Sequence, residues 1–407
     1  MDAVARKRAL MLVFLTITID LIGFGMIVPL LSLYAKHFGA NGRQIGFLMA
    51  AYSLMQFICA PLWGRLSDVV GRRPVLLVSI AGNVLSLTVL ALADSYGWIL
   101  ASRLISGMCT ANISVANAYV ADITPEKDRA RGMGIVGAAF GLGFVLGPLI
   151  GAQASTLGYS GPGAVAALLA VCNLIGAFLW LPETRTAENR ERSTVTSLRA
   201  RLDILRRGGR ARPLVMLLFS AVFAFSMLEM AFVLFAYQRV GFDVRECGWV
   251  FGYMGLIMVL LQGGFTRVLT RRFGEHVILK TGLLATALGM VLIPWTPAGD
   301  WHVMVLFVTL FAVGQGLQGP ALNSLISRSA DNQNQGMVMG TAQSLSALAR
   351  CLGPMVAGFL FDMGNENWPL WLGGGLMVLA WLASPWALQG APQPMMVREQ
   401  HVDAPSV

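Results

Sequence analysis

Charge is what this chain has least of. Asp, Glu, Lys and Arg make up 13% of its 407 residues, against 56% hydrophobic, and mean hydropathy is +0.66. A soluble fold of that composition would leave much apolar surface in water, which excludes ordinary globular domains. Cysteine is nearly as scarce. The five present, Cys59, Cys109, Cys172, Cys247 and Cys351, are odd in number and lie in or beside apolar runs, so no disulfide framework or metal spacing follows. His37, His276, His302 and His401 fall in separate loops or tails and never reach ligand spacing, which argues against zinc or haem. There is no Gly-x-x-x-x-Gly-Lys-Ser/Thr run to hold ATP, no nucleophile elbow and no His/Cys/acid cluster. An enzyme is therefore the weakest reading: catalytic and metal-ligating residues are none, and no cofactor is expected.

What the chain has in abundance is long apolar sequence. A membrane span needs roughly 20 mostly apolar residues, and twelve are predicted, at 9–33, 45–63, 75–94, 98–120, 133–155, 161–181, 213–237, 247–264, 277–295, 302–322, 336–361 and 368–388. An even number returns both termini to one side. The tails and loops on that side hold 23 Lys and Arg, and those opposite hold only Lys36, Arg43, Arg239 and Arg245. By the positive-inside rule both termini are expected in the cytoplasm, so the formal charge of +9 reads as membrane orientation and not as a nucleic-acid surface. The first span is too long and too interrupted by polar residues for a cleaved signal peptide.

The longest hydrophilic stretch, 183–212, divides the chain in two, and the halves echo each other. Gly132-Met-Gly through Gly147-Pro148-Leu-Ile-Gly151 returns as Gly336-Met-Val-Met-Gly through Gly353-Pro354-Met-Val-Ala-Gly358. Leu66 and Gly71 return as Leu269 and Gly274, although the acid Asp68 has become Arg271. The expected organisation is an N-terminal six-helix bundle over 1–182, a cytoplasmic linker over 183–212, a C-terminal six-helix bundle over 213–390 and a disordered cytoplasmic tail over 391–407. Parallel halves with a site between them at mid-membrane suit a secondary transporter. Val195, Leu198, Leu202 and Leu205 share one helical face within the linker, which reads as a helix on the membrane surface or else as a flexible connection.

Two acids fall deep inside predicted spans, Asp20 in the first and Glu229 in the seventh. An ionisable group at mid-bilayer costs about 2.5–3.5 kcal/mol even on lenient insertion scales, so it ordinarily marks an ion or substrate path. The alternative is an acid held permanently by a buried cation, for which Arg103 and Arg350 are available.

The motifs narrow this. Gly64-Arg65-Leu66-Ser67-Asp68-Val69-Val70-Gly71-Arg72-Arg73-Pro74 resembles the signature loop of the major facilitator superfamily, which joins the second and third spans on the cytoplasmic side. Ile19-Asp20-Leu21-Ile22-Gly23-Phe24-Gly25-Met26-Ile27-Val28-Pro29-Leu30 is similar to the first helix of drug/proton antiporters, particularly the tetracycline efflux pumps. Ala51-Tyr52-Ser53-Leu54-Met55-Gln56, Arg103 to Gly107, and Tyr119-Val-Ala-Asp122-Ile-Thr124 with Asp128-Arg129-Ala130-Arg131 match the same branch, and the resemblance covers residues 9–388. It implies the major facilitator fold, an all-α membrane protein of twelve helices in two pseudo-symmetric bundles. It also implies proton coupling through Asp20 and Arg103, to which Glu229 and Arg350 are added by their position within spans, as coupling groups or else as a fixed pair, and a conformational switch at Gly64, Asp68, Gly71, Arg72 and Arg73. Gly143, Gly147, Pro148 and Gly151 are similar to the family's antiporter motif, except that its final Gly is Ala152. Glycines four apart let a second helix come close, and Pro148 removes a backbone donor, which alone reads as helix packing; taken with the resemblance, it implies a sliding contact between the halves and export over uptake.

The substrate departs from the resemblance. Where tetracycline pumps carry further polar or charged groups, this chain has Ser86, Met258 and Thr286, so tetracycline itself is doubtful. Gln56, Asn112, Asn117, Gln262, Gln315, Gln318 and Asn323, mixed with Phe and Met, are candidates to line a cavity for bulky amphiphiles, or else to bond between helices. The expected function is proton-coupled export of amphiphilic small molecules or drugs by a monomer in the cytoplasmic (inner) membrane. Its partners would be substrate, protons and lipid, with no nucleic acid. Proton-coupled import of a nutrient or metabolite on the same fold is the alternative.

Overall fold

The computed structural model describes residues 3–109, 112–124, 129–184, 210–329 and 335–389. The inner linker, the tail, Asp128 and Asn334 lie outside these residues, and with them the expectation of a surface helix at 195–205.

Fourteen α-helices are described: α1 (Ala3–His37), α2 (Gly42–Val70), α3 (Arg72–Ala91), α4 (Tyr96–Cys109), α5 (Asn112–Ile123), α6 (Arg129–Ala154), α7 (Gly161–Trp180), α8 (Ala211–Val240), α9 (Val244–Leu260), α10 (Thr266–Phe273), α11 (Glu275–Leu292), α12 (Trp301–Arg328), α13 (Gln335–Phe361) and α14 (Trp368–Gln389). No strand is found among the described residues. Among the described residues, eleven helices are long and apolar enough to cross a membrane. The twelfth expected span, 98–120, falls on α4 and α5, and each piece is too short to count alone. Helix is the only economical state here, because a chain in hydrocarbon must satisfy its backbone internally.

Glycines decide how closely the helices meet. A Cβ at Gly147 would sit 2.8 Å from Gly25 Cα, and one at Gly151 2.8 Å from the Met26 carbonyl, so α6 lies against α1 almost backbone to backbone and runs the same way. Between the halves there are two such contacts. Gly42 and Gly46 of α2 abut Gly358 and Pro354 of α13, while Gly248 and Gly252 of α9 abut Pro148, Leu149 and Ala152 of α6. The second contact reproduces the first about 206 residues along, as duplicated halves require.

Both contacts lie toward one end of the molecule. We call the end where α1 begins the near side and the opposite end, where α2 and α9 begin, the far side. On the near side, Gly134 and Gly137 of α6, Gly263 and Gly264 in the turn that follows α9, and Gly336 of α13 have nothing within 4 Å of a Cβ position among the described residues. Among the described residues, these close glycine contacts between the halves therefore lie toward the far side.

Candidate transport site

Asp20 lies midway along α1, partly buried, and its Oδ1 accepts from Asn83 Nδ2 of α3 at 3.5 Å and Asn173 Nδ2 of α7 at 3.3 Å. Asn173 is 4% exposed and also donates to the Thr16 carbonyl at 3.3 Å. Neither asparagine was among the residues expected at the site. The signal was present, since Asn173 is the only strongly polar side chain in its span.

Arg103 of α4 is buried at 3% exposure; Nη2 donates to Ser102 Oγ at 3.3 Å, and Nε has no partner among the described residues. Arg350 of α13 and Glu229 of α8 are both partly buried and feel each other's charge. No hydrogen-bonded ion pair joins them among the described residues, so the fixed-pair alternative finds no direct contact here. Tyr52 of α2 lies within electrostatic reach of both Arg103 and Arg350, and its ring is 5.3 Å from that of Phe24, itself 6.2 Å from Phe144.

Of the candidate cavity residues, Gln315 and Gln318 on α12 are buried at 9% and 1%, with amide atoms lacking partners among the described residues. Gln56 and Asn117 are partly buried, and Asn117 Oδ1 also lacks a partner. Gln262, in a π-helical turn at Leu261–Phe265, and Asn323 are exposed. The Asn112 side chain lies outside the described residues.

The glycine face of α6 differs from expectation. Gly143, Gly147 and Gly151 pack against Leu21, Ile22, Gly25 and Met26 of α1 in the same half. It is the other side of the helix, at the Pro148 carbonyl, Leu149 and Ala152, that touches α9. Four-residue spacing places three glycines on one face, and only packing shows which neighbour fills it.

At the near side, Asp68 pairs with Arg72 at 2.8 Å, and Arg72 also bonds Asp122 at 3.1 Å and Ser67 Oγ at 2.5 Å. Gly71 holds φ at 119°, and the Glu183 carboxylate occupies the space a Cβ would need, accepting from the Arg72 and Arg73 amides at 3.0 and 3.1 Å. That carboxylate caps α3, whose first amides would otherwise be unpaired. Arg73 itself donates to the Phe178 carbonyl at 2.6 Å, and Gly64 has nothing within 4 Å of a Cβ position among the described residues. The other half carries a charge-reversed echo. Glu275, which follows Gly274 as Arg72 follows Gly71, accepts from Ser324 at 2.7 Å and Arg328 at 2.9 Å.

Membrane-length helices, duplicated contacts between the halves and ionisable groups midway along their helices are the arrangement expected of a membrane transporter. The family model of the Major Facilitator Superfamily matches residues 13–354 and 271–404. The chain belongs to that superfamily and is a transporter, not an enzyme. It is 32% identical over 387 residues to the tetracycline resistance protein, class C, of Escherichia coli, covering 92% of this chain and 96% of that protein. It is also 32% identical over 428 residues to major facilitator superfamily domain-containing protein 10 of Homo sapiens, covering 92% and 91%. The crystal structure of the human organic anion transporter MFSD10 (TETRAN) superposes with a TM-score of 0.70 at 30% identity, covering 94% of this chain and all of that one. A bacterial homologue of the human lysosomal transporter Spinster, in an inward-facing and occupied conformation, shares the fold at a TM-score of 0.77 and 14% identity.

Proposed function

We propose that this transporter is a proton-coupled antiporter that exports amphiphilic small molecules across the cytoplasmic membrane by alternating access. The observation that carries this reading is Asp20, held by the amides of Asn83 and Asn173 on the stretch of α1 that packs against the α6 glycines. Amide donors keep a carboxylate in place while leaving it able to take up a proton. The proton state at Asp20 then bears on the α1–α6 contact, and α6 in turn touches α9 of the other half. That is a continuous physical route from proton to gate.

The halves, 1–182 and 213–390, move as two bodies joined by the linker at 183–212, and the protein works as a monomer. With basic loops on the near side, that side is the cytoplasm, and the far-side contacts make this an inward-facing form. The absence of an ATP-binding loop from the sequence leaves an ion gradient as the energy source. Kinship with tetracycline resistance proteins supports export, although Ser86, Met258 and Thr286 argue against tetracycline as the cargo.

The test begins with a drug-sensitivity screen in an efflux-deficient bacterium and continues in vesicles with a compound that responds. Asp20→Asn should abolish export driven by an imposed pH gradient while the protein inserts at normal levels. Wild-type export by that variant would remove Asp20 from the coupling role.

A further inference from the structure

We propose that the π-helical turn at Leu261–Phe265 is a joint between α9 and α10, and that the near side closes when this turn rewinds to α-helix and brings Gly263 onto Gly137 of α6. The motion adds to the movement of the halves as bodies and does not depend on which compound or ion is carried.

The contact between α6 and α9 is a ladder of close approaches. A Cβ at Gly248 would lie 2.8 Å from the Pro148 carbonyl oxygen, one at Gly255 2.6 Å from that of Phe144, and one at Gly141 2.9 Å from Val259 Cγ2. Gly248, Gly252, Gly255 and Val259 follow one another at steps of three or four residues, so they share one face of α9. The two helices run in opposite directions, and the same register carried one turn further sets Gly263 opposite Gly137. The ladder stops short of that rung. Gly137 and Gly263 have nothing within 4 Å of a Cβ position among the described residues, and the π turn begins at Leu261, just past Val259. Bonding from i to i+5 takes more residues per turn than an α-helix does, so it rotates Gly263 off the face that Gly248 to Val259 define. Rewinding restores the face and supplies the missing rung.

The turn has the parts a joint needs. Gly263 and Gly264 stand side by side within it, and sharp bends in helices gather at such small-residue pairs and at π turns. The Leu261 carbonyl accepts from the Thr266 amide and also from its hydroxyl, the latter at 2.7 Å, with Thr266 only 5% exposed. That hydroxyl supports a winding that is rare in helices and is met mostly as single turns at functional sites. The duplicated half is interrupted at the matching place by different chemistry. Pro61, inside α2, offers no amide to the carbonyl of Phe57 and crowds it. The offset of about 206 residues that relates Gly42 to Gly248 carries Phe57 onto Gly263. Each half thus places its helical irregularity on the helix that makes the far-side contact, and at the same level.

The experiment uses the full chain in membrane vesicles, in a background without the native cysteines and with a protease site placed in the linker. One pair, Gly137→Cys with Gly263→Cys, reads the missing rung, and a second, Gly141→Cys with Val259→Cys, reads the rung already formed. Dissolved oxygen with copper phenanthroline as catalyst closes a disulfide only where two Cβ atoms come about 3.8 Å apart. A closed disulfide keeps the halves together after proteolysis. The 137–263 pair should close, more slowly than the 141–259 pair. Thr266→Val should speed it about fivefold, as expected for the loss of one hydrogen bond that holds the π winding, and Thr266→Ser should leave it unchanged. The 141–259 rate should stay the same in both variants, and thermal unfolding checks that each is folded. A second measurement needs no disulfide. A leucine side chain finds room at Gly137 or Gly263 in this form and blocks their approach in the other. Gly137→Leu and Gly263→Leu should therefore unfold at the parent temperature. Each should slow labelling of Ala50→Cys, 2% exposed between α2 and α13, by an impermeant maleimide from the far side at least about tenfold. No 137–263 disulfide while the control pair forms, a 137–263 rate unmoved by Thr266→Val, or parent labelling rates in both folded leucine variants would overturn the joint.

Discussion

Asp362 is the residue whose loss should most directly open the far side. It sits at the end of α13 and accepts from the amides of Gly42 at 2.6 Å and Arg43 at 2.9 Å, the first two residues of α2 in the other half. A carboxylate there meets unpaired amides and the positive end of a helix together. Hydrogen bonds to a charged group are worth about 1.5–3 kcal/mol each when dry, and the helix end adds roughly 0.3–1 kcal/mol. The Arg43 ion pair, at 3.8 Å with that side chain 60% exposed, adds little. Because the carboxylate is itself 19% exposed, water will replace part of what is lost, and Asp362→Ala should remove about 1.5–3 kcal/mol net. These contacts exist only while the far side is shut, so the whole loss goes into the equilibrium between states, a shift of roughly ten- to a hundredfold toward far-side opening. The reporter is Ala50→Cys in a background without the native cysteines. It lies on the same stripe of α2 as Gly42 and Gly46 and is 2% exposed. Its labelling by a membrane-impermeant maleimide applied from the far side should speed up by about the same factor, while Asp362→Asn, which keeps an acceptor, should fall between. Labelling at the wild-type rate in folded Asp362→Ala would refute the reasoning.

Three further outcomes are expected. Asp68→Asn should cut turnover severely yet leave substrate affinity in detergent within a fewfold of wild type, since Arg72 keeps Asp122 and Ser67 as partners; a large affinity loss in a ligand-binding assay would contradict this. Gly147→Val should lower thermal stability in detergent by about 1–3 kcal/mol, because a side chain there meets Gly25 and the Ile22 carbonyl, and an unchanged melting point would show the α1–α6 contact to be loose. Glu275→Arg and Arg328→Glu should each reduce transport, and the double exchange should recover more activity than either single change if the near-side brace depends on opposite charge and not on which helix bears which sign.

Much of this protein was written along the chain. Twenty-residue apolar runs demand helices that satisfy their own backbone, and the uneven distribution of 23 against four basic residues gives an expected orientation without reference to any neighbour. Asp20, Arg103, Glu229 and Arg350 were equally legible, because a charge in hydrocarbon is conspicuous wherever it points. Partners were not. Asn83 and Asn173 lie 63 and 153 residues from Asp20, and an uncharged amide in a span is as often a helix-to-helix bond as part of a site. The α6 glycines announced a close approach but not to which helix. The charge-reversed pair of Glu275 and Arg328 was hidden because the repeat conserves geometry and not sign. Local composition fixes what a residue costs to bury. Which side chain repays that cost is decided by helix packing, where residues far apart in sequence meet and no periodicity along the chain records the meeting.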